Sequence, residues 1–413
     1  MARQGTDALA YASTASSMSP SAYPLSPKSR SSLSFEANRS LPAANKGHQR
    51  IPDAVAAHRY LDAIDACGGV HQAIQNVATR LTLENIQNEW VPVTVNQTEY
   101  DNSYVCSPYT AYISYARDEL GLLNNVFLET ALKGVIGLGS LTLKQAKINQ
   151  TVSLNNWLVS TNLVPDWSEA TLQTLVTDLT QRYPDHSLSL RSLNARTDGD
   201  MMARLKAHGW LLIPARQVYL FDNENTDWWK RNNCKNDQRL LRKTILQYAP
   251  ASELEYEDFA DIERIFTQLF IDKHSMHNPQ FSADFLYHLH KSGLVDFHTF
   301  RDSTGKVVAA IGLFTQRDII TTPILGYDTR LPKSLGLYRL LMAVLLKHTY
   351  ESGQLMNLSS GAAEFKRMRG GQPHIEYTAF YVKHLPPKRR HLMQAFAGLV
   401  NRTAPNLFEK HQL

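Results

Sequence analysis

Two stretches of this 413-residue chain run through the same order of predicted elements, and that repetition limits the fold more than any other feature. In the first, a strand around Trp157 to Thr161 leads to a helix over Glu169 to Arg182, a strand over Ser187 to Leu193, a helix over Asp200 to His208 and a strand over Trp210 to Leu220. In the second, a strand over Ile319 to Tyr327 leads to a helix over Leu337 to Tyr350, a strand over Leu355 to Leu358, a short helix over Ala363 to Arg369 and a strand over Glu376 to Val382. Strand, helix and strand at this spacing imply a parallel pair joined by a right-handed crossover. The expected class is therefore α/β, with mixed central sheets covered by helices, in two lobes related by an internal duplication. The implied boundaries are a tail over 1–52, a first lobe with a helical segment over 53–221 and a second lobe over 222–413.

Residues 1 to about 50 are crowded with Ser, Ala and Pro and hold Asp7 and Glu36 as their acids, so they lack the apolar content to fold alone and read as a disordered tail. The same acid-poor makeup suits a transit peptide or a bacterial secretion signal. The remainder is ordinary for a globular protein, with 43% hydrophobic and 20% charged residues over the whole chain. No apolar run reaches the roughly 18 to 20 residues that cross a bilayer, so no membrane partner and a cytoplasmic address are expected. Cys67, Cys106 and Cys234 form no C-x-x-C pair and read as reduced thiols. From Asp53 to about Glu89 apolar residues recur at helical spacing across Gly68-Gly69, which predicts two consecutive helices. Tyr109, Tyr112 and Tyr115 form a stripe along a further helix. The glycines of Gly134 to Gly139 read as a turn, because no strand precedes them in the manner of a nucleotide loop.

The chemistry concentrates at Gly326 to Arg339, which joins a strand to an apolar helix. A glycine turn at a helix N-terminus presents backbone N–H groups and the positive end of the helix dipole, and Lys333 and Arg339 add charge, so the segment predicts a pyrophosphate site. Here Lys333-x-x-Gly336 followed by Leu337-Tyr338 resembles the R/Q-x-x-G-x-G/A loop with which GNAT acyltransferases bind coenzyme A. The segment Asn357 to Gly370, with Gly361 and then Phe365-Lys366, further resembles a pattern in a bacterial branch of that superfamily that often carries two GNAT folds in tandem. The resemblance covers about Asp222 to Pro386, and an N-terminal copy over about Val91 to Asp222 shows in element order alone. Tyr338 stands where the superfamily usually has Gly or Ala, and Lys333 where it has Arg or Gln. In the N-terminal copy the corresponding turn, Asn162 to Ser168, lacks glycine and carries Asp166, which marks that copy as degenerate.

The resemblance implies an N-acyltransferase that moves an acyl group from acyl-CoA or acetyl-CoA to the amine of an amino acid, peptide or related metabolite. It puts the donor on Lys333, Ser334, Leu335, Gly336, Leu337, Tyr338, Arg339 and Lys366. Asp328 and Glu376 are the carboxylates placed by sequence to act as base, and Tyr327 the candidate acid for the leaving thiolate. Two alternatives stay open: a tRNA-dependent aminoacyl transferase, as in peptidoglycan-bridge enzymes of tandem GNAT build, and a binding or effector protein that keeps the fold without catalysis. The helix predicted over Asp227 to Tyr248 bears on the first, because Arg231, Lys235, Arg239 and Arg242 or Lys243 give one positive stripe suited to an acyl carrier protein, a nucleotide phosphate or RNA, or to a solvated face. His274 and His277, with His288 and His290 beyond, have no HExxH or cysteine companions, and no metal is expected. Ser359-Ser360-Gly361 lacks the G-x-S-x-G elbow of a serine hydrolase.

Overall fold

The computed structural model describes residues 53–119 and 126–411; the tail expected over 1–52 lies outside these residues. Eleven strands form one mixed sheet: β1 (Arg80–Ile86), β2 (Glu89–Asn96), β3 (Thr151–Leu154), β4 (Ser187–Asn194), β5 (Leu211–Phe221), β6 (Gln247–Pro250), β7 (Val295–Arg301), β8 (Val307–Gln316), β9 (Ile319–Tyr327), β10 (Leu355–Asn357) and β11 (Gln372–Tyr381). Their order across the sheet is β1-β2-β3-β4-β11-β5-β10-β9-β8-β7-β6. The last strand crosses into the first half of the chain, where β11 lies antiparallel between β4 and β5, and β5 in turn pairs with β10. The sheet thus runs unbroken past the 221/222 boundary, and its central strands come from both halves.

Helices form where the apolar residues keep a 3.6-residue period and a cap is available. Helix Glu169–Arg182 begins on Ser168, whose hydroxyl accepts from the Thr171 N–H, and helix Ala195–Ala207 on Asn194, whose side chain accepts from Arg196 and Thr197. Both pack on the β3-β4 end with Trp167, Leu172, Leu179, Met201 and Leu205 buried against Leu188 and Leu190. At the other end, helices Asp53–Ala66, Asp258–Phe266 and Ala283–Lys291 share a core with Trp157 to Val159, Val105, Ala310, Phe314 and Ile324. That core defines one face of the sheet.

Three expectations are corrected. Residues 80–96 form a hairpin and not the continuation of a helix, because Val91, Val93 and Val95 favour a pleated surface and the two-residue turn Gln87-Asn88 adopts left-handed φ values of 53° and 64° that fit the strand twist. The strand before helix Glu169–Arg182 is Thr151–Leu154, while residues 157–161 form a buried loop. Gly134 to Gly139 lie inside helix Val126–Gln145, where the long apolar run prevails over the low helix propensity of glycine and an added Cβ at Gly134 or Gly137 would meet nothing within 4 Å. At Gly326 the backbone does require glycine: an added Cβ would lie 2.7 Å from the Phe266 nitrogen and 2.9 Å from the Ile265 carbonyl carbon. Absence of a side chain there lets the end of helix Asp258–Phe266 close against β9.

Candidate functional site

β9 and β10 run parallel through three register pairs, Leu355 with Ile319, Met356 with Ile320 and Asn357 with Thr321, and then separate. Past that point the β10 chain stays with β5, since Leu358 N–H donates to the Tyr219 carbonyl at 2.9 Å and Tyr219 N–H to that of Ser359 at 3.1 Å. β9 continues alone on its β10 side to Tyr327, hydrogen-bonded to β8. A strand paired on one edge leaves alternate N–H groups pointing from the other, where they can hold a carbonyl oxygen that gains charge.

The rings of Tyr327, Tyr338 and Phe365 gather beside this opening, with centroids 6.2 Å apart for the first pair and 4.7 Å for the second. Tyr338 therefore fills with an aromatic ring the place where a small residue would lie, and burial raises its phenol well above the ordinary range. Helix Leu337–Ser352 starts at the same opening. Its N-cap Gly336 has φ 63° and ψ 37° and offers no side-chain cap, so the first-turn N–H groups have no side-chain acceptor from the cap. An added Cβ at Gly336 would lie 2.8 Å from Leu240 Cδ2, so this glycine serves both the left-handed turn and the close packing of helix Asn232–Lys243. Lys333 and Ser334 are exposed on the outer side of the turn, and Leu335 is half-buried.

Arg339, expected on the donor, is committed elsewhere: its Nε donates to Asp237 Oδ1 at 2.8 Å. Asp237, wholly buried, also accepts from Arg369 Nε at 2.6 Å, and the Arg369 guanidinium lies 3.2 Å from the centre of the Phe365 ring. One carboxylate thus ties three helical segments that border the opening. Lys366, also expected on the donor, spends its ammonium on the carbonyls of Leu358 at 2.8 Å, Ser359 at 3.2 Å and Ser360 at 2.7 Å. Three acceptors account for all three of its hydrogens. The loop it holds carries left-handed φ values at Ser359, Gly361 and Ala362. Burial, with Arg216 as the second cause, pushes the Lys366 ammonium down to about 7.

The carboxylates expected as the base are both paired. Asp328 accepts from Arg330 Nη2 at 2.7 Å and Nε at 3.0 Å and from Arg264 Nη1 at 3.0 Å, and these bonds, Arg330 first, hold its carboxyl well below the usual carboxylate range. A carboxylate so stabilised is a poor proton acceptor, so its geometry is that of an anchor at the end of β9. Glu376 is bound by Arg216, with Nε to Oε1 at 2.8 Å, and lies on β11, two strands away from the opening. Tyr327 is half-buried at the end of β9, next to the rings.

The basic stripe is confined to a shorter helix than expected, Asn232–Lys243, with a 3-10 turn over Asp227–Lys230 before it and β6 after it. Arg231 donates to the Arg367 carbonyl at 2.7 Å and Arg239 to Asn236 at 3.0 Å, while Lys235 is exposed. The tyrosine stripe is core packing: Tyr109 is buried with its hydroxyl on Ser140 at 2.7 Å, and Tyr112 stacks edge-on with Phe396. Burial lowers the His274 imidazole, and His277 lies 4.0 Å from Asp118. Among the described residues no group of three or more His, Cys, Asp or Glu is arranged to hold a metal ion, and no helix is long and apolar enough to cross a membrane.

Sequence reasoning missed Asp237. A lone acid inside a basic helix was the available signal, since so many like charges on one face call for a buried counter-ion.

Comparison with known proteins agrees with this geometry. Residues 230–367 match the family model described as an acetyltransferase (GNAT) domain. No curated protein matches the chain. Among solved structures, similarity is found to the L-PGS of Bacillus licheniformis, at 13% identity and TM-score 0.43 over 60% of this chain and 83% of that one. FemX is similar at 9% identity and TM-score 0.43 over 60% and 82%. A tandem GNAT protein from the clavulanic acid biosynthesis pathway is similar at 12% identity and TM-score 0.35 over 56% and 75%. Likenesses of this degree say nothing about donor or acceptor. The segment that holds the separated strands, the glycine turn and the Lys366 loop is the segment the family model matches, so residues 230–367 carry the likeness to a GNAT acetyltransferase domain.

Proposed function

We propose that the chain is an N-acyltransferase that takes an acyl group from acyl-CoA and passes it to a primary amine of an amino acid, peptide or related metabolite. The observation that carries this reading is the separation of β9 from β10 beside an uncapped helix N-terminus. The donor thioester lies in the opening, its carbonyl oxygen on β9 N–H groups and its pyrophosphate on the turn Lys333 to Gly336 and the N–H groups of Leu337 and Tyr338. Residues 222–413 carry the donor, and residues 53–221 shape the acceptor side.

The amine attacks the thioester carbonyl, a C–N bond forms and the C–S bond breaks. Tyr327 gives its phenolic proton to the departing thiolate and is reprotonated from water. The amine's proton passes to water in the opening, because Asp328 is held by two guanidinium groups and Glu376 lies two strands off. Lys366 acts as a positioning residue for the loop that forms the β10 border.

Calorimetry with acetyl-CoA tests the donor site. Ser334 is exposed, so Ser334→Glu adds a negative charge at the turn without entering the core. It is expected to weaken binding about tenfold or more by repelling phosphate and opposing the helix dipole. Lys235→Gln combined with Arg239→Gln is expected to leave binding unchanged. Equal affinity in Ser334→Glu, or a steep loss in the double variant, would move the donor off this turn and onto the basic helix.

A further inference from the structure

β5 is the sixth of eleven strands, yet Arg216 near its middle keeps 20% of its side-chain surface accessible. A side chain at the centre of a covered sheet can reach solvent only through a cleft. Arg216 donates to Glu376 and, through Nη2, to the Ser160 carbonyl at 2.5 Å and Thr161 Oγ1 at 3.1 Å. Arg191 of β4 lies in the same group, donating to the Val105 carbonyl at 2.5 Å and to Asn156 at 3.2 Å, with its guanidinium 5.9 Å from the ring centre of Tyr104. Tyr104, Arg191 and Ser160 are likewise half-buried, and Tyr115 stacks edge-on with Tyr104 at 5.3 Å. Among the described residues Arg191 has no carboxylate within ion-pair distance. Within ion-pair distance the two guanidinium groups have one carboxylate between them, Glu376, and Arg216 holds it.

We infer that this cleft binds the carboxylate of the acceptor, with Arg191 as its principal ligand. The inference rests on the amine acylation proposed above and names the acceptor's class. The two oxygens of a carboxylate match the fork of a guanidinium. The cleft lies on the sheet face that Val105, Trp157 and Val159 share with helices Asp258–Phe266 and Ala283–Lys291. Between β4, which carries Arg191, and the opening lie β11, β5 and β10. At about 4.8 Å per strand that is roughly 17 Å along the sheet, of which the arginine side chain covers part. An extended chain covers about 3.5 Å per residue, so the remainder exceeds the span between the amine and carboxylate of one α-amino acid and calls for a peptide of about three residues or more. The acceptor is a short peptide that is acylated at its N-terminus while its C-terminus is held by Arg191.

The test uses triglycine and its C-terminal amide as probes, with the full chain, by calorimetry. Triglycine is expected to bind about ten- to a hundredfold more tightly than the amide. Arg191→Gln should remove that preference while leaving amide binding unchanged, and Arg191→Lys, which keeps the charge but not the fork, should retain part of it. A thermal midpoint within a few degrees of the parent confirms that a variant is folded; if Arg191→Gln is not, Arg191→Lys decides. Equal binding of acid and amide, binding of neither, or a preference that survives the change at Arg191 would overturn the inference. Failure here is separable from failure of the proposed function: acetyl transfer to the amide with no carboxylate preference would sink this inference alone, whereas a carboxylate preference without transfer from acetyl-CoA would sink the donor assignment alone.

Discussion

Asp237→Ala lowers the free energy of unfolding by about 3–5 kcal/mol, the cost of leaving a buried guanidinium without its counter-ion. The side chains of Asp237 and Arg369 are 1% and 7% exposed, so water cannot replace the lost carboxylate at that pair. At the second pair, with the Arg339 side chain 36% exposed, solvent screens most of the loss. The same substitution releases the end of helix Ala363–Met368 from helix Leu337–Ser352, so affinity for acetyl-CoA should fall along with stability. Asp237→Asn, which keeps an acceptor for one arginine but removes the charge, should fall between the two. Urea denaturation reports the effect, and a change of less than about 1 kcal/mol in the alanine variant would show that the two arginines find other partners.

Lys366→Met is expected to reduce kcat at least about a hundredfold while leaving a folded protein. The variant takes away three donors from a loop with left-handed residues at Ser359 and Ala362, and a displacement of the β10 border by about 1 Å is enough for a loss of that size. A second signature is thermodynamic. In the folded protein the Lys366 ammonium is pushed down to about 7, against an ordinary lysine value near 10.5. Between those values the unfolded chain binds the extra proton, so this group's contribution to stability rises with pH from about 7 toward 10.5 and is flat below 7. The methionine variant lacks that rise. Parallel stability curves for parent and variant over this window would contradict the assigned environment of Lys366, and unchanged kcat would remove its positioning role.

Much of the C-terminal half was legible because its local signals agree with its tertiary ones. Ile319–Tyr327 came out with the expected ends, and in the first half so did helix Glu169–Arg182 on its Ser168 cap. What could not be read depends on partners distant in sequence. The glycine turn at Gly336 was visible, but not that Leu240 of another helix packs on it, nor that Arg339 would be drawn away by Asp237, 102 residues earlier. Asp328 stands where a base would be sought, and nothing local reveals that Arg264, 64 residues away, joins Arg330 in holding it. Val77 and Leu81 continue a helical period that predicts helix to about Glu89, while β2 is held in the sheet by β3, more than fifty residues on. Arg191 and Arg216 drew no attention as single arginines in two strands; only the insertion of β11 between β4 and β5 brings them to one cleft.

The most direct test of the central claim is mass spectrometry of the full chain incubated with acetyl-CoA and a primary amine such as triglycine. The account predicts an acetylated peptide N-terminus together with an equal amount of free coenzyme A thiol, and transfer that survives combined substitution of Lys235 and Arg239. Transfer seen only from aminoacyl-tRNA or an acyl carrier protein, with none from acetyl-CoA or longer acyl-CoA, would contradict it.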